Sequence, residues 1–206
     1  MKFFVVFLIV FGMKDSFSQD SSKLYRFVFR AGAATGLNLY EPKVRRGIQE
    51  YSYNKVSFGT GLGTELSYKA VKFMDVVAHY YFYVYKNKVD FPSVMMNNFA
   101  LKQQSHMLAV SADFKLYQNR KTKISIGTGP GFSLNKEQFV KTVAITNDVL
   151  QIGERNTIKF IAPVYIGLET YIKNYIVLGT RAQTFIWGDK HAFRTLNLFS
   201  YLGMRF

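Results

Sequence analysis

The sequence predicts an all-β fold, an eight-stranded antiparallel up-and-down transmembrane β-barrel. Three observations carry that prediction. Eight segments alternate apolar and polar residues with period two, the mark of strands with one apolar face. Their connections alternate between tight turns and long loops, the layout of an outer-membrane barrel with an even strand count. The mean hydropathy is −0.01, high for an exported chain, although no segment after the first twenty residues approaches a spanning helix.

The chain opens with a segment that is not part of the barrel. Met1-Lys2 is followed by an apolar run, 3–13, interrupted by Lys14-Asp15; Ser16-Phe17-Ser18 then places small residues at the −3 and −1 positions before Gln19. This is the layout of a cleavable secretory signal, and the run is too short to span a bilayer as a helix. Residues 1–18 are therefore expected to be a signal peptide, and 19–206 a single barrel domain.

Each strand is justified by its own alternation. In 24–39, Tyr25, Phe27, Phe29, Ala31, Ala33, Leu37 and Leu39 oppose Arg26, Arg30, Gly32, Gly36 and Asn38. In 56–68, Val56, Phe58, Leu62, Leu66 and Tyr68 oppose three glycines and Glu65. In 73–85, the row from Met74 to Val84 opposes Asp75 and His79. In 108–116, Leu108, Val110, Ala112, Phe114 and Leu116 oppose Ser111, Asp113 and Lys115. The segment 124–134 sets Ile124, Ile126, Phe132 and Leu134 against Ser125 and three glycines. The segment 158–172 opposes an Ile/Val/Leu/Phe row to Lys159 and Glu169. In 176–186, Arg181 and Gln183 lie across from Ile176, Leu178, Ala182 and Ile186. Finally, 196–206 sets Leu196, Leu198, Leu202, Met204 and Phe206 against Asn197, Tyr201, Gly203 and Arg205. Each segment is long enough to cross a membrane at about 9–11 tilted residues. Pro130 and Pro163 fall inside strands five and six, where a lost ladder donor predicts a bulge or kink and leaves the register open.

Tight turns are expected at 69–72, 118–122 and 173–174, and long loops at 40–55, 86–105 and 135–156, with a shorter one at 188–192. A soluble lipocalin-type barrel would keep its apolar face inside. Here the apolar rows are unbroken and large, while the polar rows mix glycine with a few ions, which suits a narrow interior. Tyr25, Tyr68, Phe73, Tyr117, Tyr171 and Tyr175 gather at the turn side as an interfacial girdle would.

With these strands, the Phe17-Ser18-Gln19 signal end and the terminal Tyr201-Leu202-Gly203-Met204-Arg205-Phe206, the chain resembles the small OmpA/OmpX-like outer-membrane barrels, most of all the PorT-like barrels of Bacteroidota. The resemblance covers essentially the whole mature chain, rests on architecture and implies residence in the bacterial outer membrane. It also implies that Leu202, Met204 and Phe206 form the C-terminal signal read by the barrel assembly machinery. No appended peptidoglycan-binding domain is expected, so the resemblance does not imply a wall-anchoring role.

By alternation, Glu65, Asp75, Asp113 and Glu169 face Arg26, Arg30, Lys115, Arg181 and Arg205 in the lumen, all near the turn side. A selective pore would show an excess of one sign. A near-balanced set in a barrel wide enough only for side chains is expected to pair into a plug. The Gly59–Gly63 and Gly127–Gly131 runs lack a P-loop's Lys-Ser/Thr ending and are expected to make room for bulky neighbours such as Tyr81, Tyr83 and Phe199. Ser105-His106, with Asp90 nearby, is the one pair suggesting a rim-sited lipid A-modifying enzyme, but adjacent strand residues point to opposite faces. His79 reads as a core group beside tyrosines and His191 as solvated.

There are 27 Lys+Arg against 13 Asp+Glu, for a net charge of +14, and no cysteine. No disulfide, thiolate metal site, metal or cofactor is expected. The turn-side bases Lys69, Lys72, Arg120, Lys121, Lys123 and Lys173 are expected to meet anionic headgroups, and Lys43, Arg45 and Arg46 lipopolysaccharide phosphates. Export argues against nucleic acid. Two loop segments are apolar for a solvated surface: Phe91, Val94, Met95, Met96 and Phe99 in one, Phe139, Val143 and Ile145 in the other. They either extend the barrel as packed hairpins or dock a protein partner. The expectation is a non-enzymatic structural or accessory subunit of an outer-membrane complex for secretion, barrel assembly or uptake. A rim-sited enzyme or a narrow channel is the alternative.

Overall fold

A computed structural model describes residues 25–39, 44–46, 49–53, 56–90, 99–142, 150–172, 175–187 and 195–206. Among these residues eleven strands form one antiparallel sheet: β1 (Phe27–Leu39), β2 (Val44–Arg46), β3 (Gln49–Tyr53), β4 (Val56–Val71), β5 (Met74–Asp90), β6 (Phe99–Gln118), β7 (Thr122–Thr128), β8 (Gly131–Thr142), β9 (Leu150–Ile172), β10 (Ile176–Trp187) and β11 (Thr195–Arg205). Nine of them make the ring. β7 and β8 lie end to end between β6 and β9, so the wall has eight staves. β1 closes it against β11 over eleven residue pairs, ending where the backbones of Phe27 and Phe206 exchange two hydrogen bonds. Closure satisfies both edges, the condition for a sheet to cross lipid.

The break between β7 and β8 is where the prolines act. Thr128 pairs Val164 and Gly131 pairs Ile161, so the gap at Gly129-Pro130 stands opposite Pro163 and Ala162. Pro130 sits in the gap and Pro163 opposite it, so one short interruption of the ladder takes up both prolines. The register is the same on either side of it, and Val110 still donates to the Pro130 carbonyl at 3.0 Å. The actual register shifts lie elsewhere, at Lys69/Val71 and Lys115/Tyr117, both at the turn end.

The outer wall is apolar across its middle. Leu62, Leu66, Val110, Leu116, Ile166, Leu198 and Leu202 are all exposed, and Phe58 and Phe160 are 79% and 82% exposed. A continuous apolar surface of this kind is untenable in water and costs nothing against lipid, so it is a bilayer-facing belt. Tyr25, Tyr68, Phe73, Tyr117 and Tyr175 ring its lower edge. Tyr171, grouped with them in the sequence, instead points inward and is 9% exposed, because Ile172 takes the outward position.

The belt's upper edge is marked by a change of residue type. On β8 and β9 the outward row passes from Leu134 and Ile158 to exposed Lys136, Asn156 and Glu154. On β5 and β6 it passes to Lys86 and Lys102, which are directly opposite one another. The loops are shorter than the sequence suggested. β5–β6 pairing runs up to Val89 and Phe99, β8–β9 pairing to Thr142 and Leu150, and the first loop contains the β2–β3 hairpin. Lys136 bridges Glu154 at 2.8 Å, and its hydrogen bond together with that of Gln138 holds this carboxyl below the usual carboxylate range.

Candidate functional site: the barrel interior and its mouth

Inward residues build the interior in layers. The lowest is ionic. Arg30 on β1 meets Glu169 on β9 at 2.8 Å and Glu65 on β4 at 3.6 Å. Arg181 on β10 meets Glu65 at 2.9 Å, Glu169 at 3.6 Å and Asp113 at 3.9 Å. Lys123 on β7 lies 2.5 Å from Asp113 and 2.9 Å from Asp75, whose other oxygen is 2.6 Å from Lys115. Eight charged side chains from seven strands thus form one chain of contacts, four bases against four acids. All are buried, apart from a partly exposed Lys115. Charges this deep are tolerable only when compensated, and here the ionic sum is zero.

Three sequence assignments are corrected by this geometry. Arg26 is exposed and belongs to no ion pair among the described residues. Arg205 pairs with no acid among the described residues; its guanidinium lies 4.2 Å from the Tyr171 ring centre and 5.4 Å from that of Tyr25. Both sit so near the open end that the acids are already taken by deeper bases. Lys123, placed among headgroup-facing residues, is 2% exposed and carries two of the ion pairs.

Above the ions lies an aromatic layer. Tyr81, Tyr83, Tyr85, Phe185 and Phe199 are 0–1% exposed and pack ring on ring at 5–6 Å. The glycines admit these rings. Gly59, Gly61 and Gly63 on β4 pair with Tyr85, Tyr83 and Tyr81 on β5; Gly127 pairs with Tyr165 and Gly179 with Tyr201. A methyl group at Gly63 would run into the rings of Tyr81 and Phe199. Gly63→Val is therefore expected to destabilise the barrel by about 1–3 kcal/mol through overpacking. Urea unfolding in lipid vesicles, followed by the fluorescence of Trp187, checks this; an unchanged midpoint would mean the rings yield freely.

The two layers are joined by His79 and Tyr81. His79 Nδ1 is 3.0 Å from Glu65, and its ring lies against Tyr81 and Tyr165. Tyr201 donates to Glu169 at 3.1 Å. Higher still, the filling becomes neutral and polar: Gln183 donates to Tyr83, Tyr85 to Asn197, and Asn38 to Gln103. Ser105 donates to Asn135 at 2.7 Å inside the lumen. His106 is exposed outside, with Nδ1 2.9 Å from the Tyr80 hydroxyl. The two cannot form a nucleophile and base pair.

Of the other sequence candidates, Leu202 and Phe206 face outward, Met204 is partly buried, and Phe206 stacks on Phe27 at 5.9 Å. Phe91, Val94, Met95, Met96, Val143 and Ile145 lie outside the described residues, as do Lys43, Lys173, His191 and the segment 1–24. Phe99 and Phe139 are described only as strand backbone, as are Arg45 and Arg46. Among the described residues no cluster of His, Asp and Glu could hold a metal.

The lower end opens into a cavity of about 960 Å³, floored by Arg30, Asp75, Lys123 and Glu169. Lys69, Lys72 and Arg120 line this mouth. The sequence alone sets them at the turn-side ends, against anionic headgroups.

The chain matches no protein-family model and no curated protein. It is similar to solved structures of outer-membrane barrels. The outer membrane protein OprG from Pseudomonas aeruginosa superposes with a TM-score of 0.56 at 9% identity, over 89% of this chain and 97% of that one. Neisserial surface protein A gives 0.49 at 13% identity, over 87% and 95%. Ail of Yersinia pestis gives 0.47 at 12%, over 89% and 100%. The likeness to OprG establishes the fold: an antiparallel outer-membrane β-barrel.

Proposed function

We propose that this outer-membrane barrel is a non-enzymatic structural or accessory subunit of a larger outer-membrane complex for secretion, barrel assembly or uptake, of the PorT-like kind. One observation carries the reading: the interior is filled. An ionic layer of zero sum, a close-packed aromatic layer and a neutral polar layer occupy the lumen in succession. What such a barrel does, it does on its outer wall or at its ends.

The alternatives fare worse on particular residues. A narrow channel needs a continuous polar path, and Tyr81, Tyr83, Phe185 and Phe199 stand across it. A lipid-modifying enzyme needs a nucleophile and base together, and Ser105 and His106 are on opposite faces of β6.

The outer wall supports lipid contact. Lys86 and Lys102 face each other across β5 and β6 just above the belt, an arrangement that destabilises a sheet unless an anion bridges it. Phosphates of lipopolysaccharide would supply that anion. The exposed Leu202 and Phe206 suit reading by the assembly machinery, and an exported barrel has no nucleic acid to meet.

A native pull-down from outer membranes in mild detergent, using a tag in an outer loop so that the C-terminus is untouched, tests the proposal. The expected result is a stoichiometric set of secretion, assembly or uptake subunits, with no conductance from the purified barrel in planar bilayers. A bare barrel with lipopolysaccharide alone overturns the accessory role. A change in lipid A mass on replacing Ser105 and His106 would revive the enzyme reading.

A further inference from the structure

The lumen's charges cancel, but those at its lower mouth do not. Eight bases and two acids line the 960 Å³ cavity there. Both acids are committed, Glu169 to Arg30 and Asp75 to Lys115 and Lys123. Arg26, Lys69, Lys72, Arg120 and Arg205 are left with no ion pair among the described residues. Arg30 and Arg205 each also carry a buried Nε with no acceptor. A concave site with five cations that no described acid neutralises holds a strong positive potential and draws anions.

The arrangement narrows the kind of anion. The five bases do not converge on one point. They come from the start of β1, the β4–β5 turn, the β6–β7 turn and the end of β11, with Tyr25, Phe73, Tyr117 and Tyr171 between them. A single phosphate would meet one or two of these cations. An extended acidic chain with apolar side chains would meet most of them and lay its apolar groups on the rings. Bilayer headgroups stand outside the wall, whereas Lys69 continues the inward row of Glu65 and Ser67. The chain's own segment 19–24 carries Asp20 and Lys23, with no net charge to offer.

We infer that the turn-side mouth of the barrel docks an acidic segment of a periplasmic partner polypeptide. This rests on the reading of the protein as a subunit of an assembly, and adds which end the partner holds and by what chemistry.

The test uses the full barrel in nanodiscs of neutral phosphatidylcholine and a fluorescent peptide of glutamates interrupted by phenylalanine, read by anisotropy. The peptide is expected to bind, to weaken with salt, and to lose about tenfold in affinity in Lys69→Gln/Lys72→Gln/Arg120→Gln. These three side chains are outside the buried ion network, so the variant folds. The same peptide with lysine for glutamate is expected not to bind. Unaltered binding in the triple variant overturns the proposal. So does tripolyphosphate binding in the mouth while the peptide binds no better than its lysine form, which would assign a small phosphate ligand. Loss of peptide binding on adding phosphatidylglycerol would return these cations to the lipid. Peptide binding without co-purifying subunits would leave the site standing and remove the assembly role; the reverse pair would do the opposite.

Discussion

Replacing Glu65 with Gln is expected to destabilise the barrel by about 3–5 kcal/mol, the usual cost of removing one partner from a buried ion pair. Glu65 is 1% exposed and is the acceptor on which Arg181, Arg30, His79 and Tyr81 converge. Glutamine has nearly the same shape, so packing above and below is retained and the change is one of charge. The interior passes from four bases against four acids to a net positive charge within a buried layer. The check is equilibrium unfolding by urea in lipid vesicles. A second variant separates charge balance from mere disruption. In Glu65→Gln/Arg181→Met the excess charge is removed with its partner, and a long apolar side chain fills the space beneath Tyr165 and Tyr201. The double variant should lose less than the sum of the two single losses, with a coupling of about 0.5–3 kcal/mol. A single variant within experimental error of the wild type would mean that water screens the network. Additive losses would mean that shape, rather than charge, holds it.

The same residues show what could be read from the sequence and what could not. Alternation alone placed Arg30, Glu65, Asp75, Asp113, Lys115, Glu169 and Arg181 on inward rows, because an inward or outward position on a strand is a local property. Lys123 was legible by the same rule, being in phase with Ser125 and Gly127, but its neighbours Arg120 and Lys121 in the turn drew it into a headgroup set. Arg26 and Arg205 have the inward phase too. Their distance from the acids depends on where the barrel ends, which is set by closure of β1 on β11 and not by either strand. The pairing of Gly59, Gly61 and Gly63 with Tyr85, Tyr83 and Tyr81 needed the register between β4 and β5, and register is a relation between strands. The upper parts of β5, β6, β8 and β9 read as loops in the sequence for a physical reason: above the belt the outward row turns to Lys86, Lys102, Lys136 and Glu154, so the apolar-polar alternation is lost although the ladder continues. The cationic mouth escaped for the opposite reason. Its residues are scattered over two turns, the start of β1 and the end of β11, and only the closed ring gathers them.

Leu62→Arg is expected to cost about 2–4 kcal/mol in a bilayer, and it separates the membrane reading from a soluble one at a single position. Leu62 is 66% exposed and points away from the lumen, while its neighbour Gly63 points in. On a soluble barrel, exchanging an exposed leucine for arginine would be close to neutral. In lipid the guanidinium lies near the middle of the belt, since Leu62 falls between Tyr68 of the lower girdle and Phe58 near the upper edge, and it cannot reach water without distorting the bilayer. The penalty should therefore depend on depth. Phe58→Arg, one stave position from the upper edge, is expected to cost about 0–1 kcal/mol, although Phe58 is more exposed than Leu62 at 79%. Paired unfolding measurements in phosphatidylcholine vesicles give both values. A larger loss at 58 than at 62 would contradict the belt drawn here, because ordinary surface exposure ranks the two positions in the reverse order. Equal and negligible losses at both would mean that neither side chain meets hydrocarbon, and the apolar wall would then need a protein covering in place of lipid.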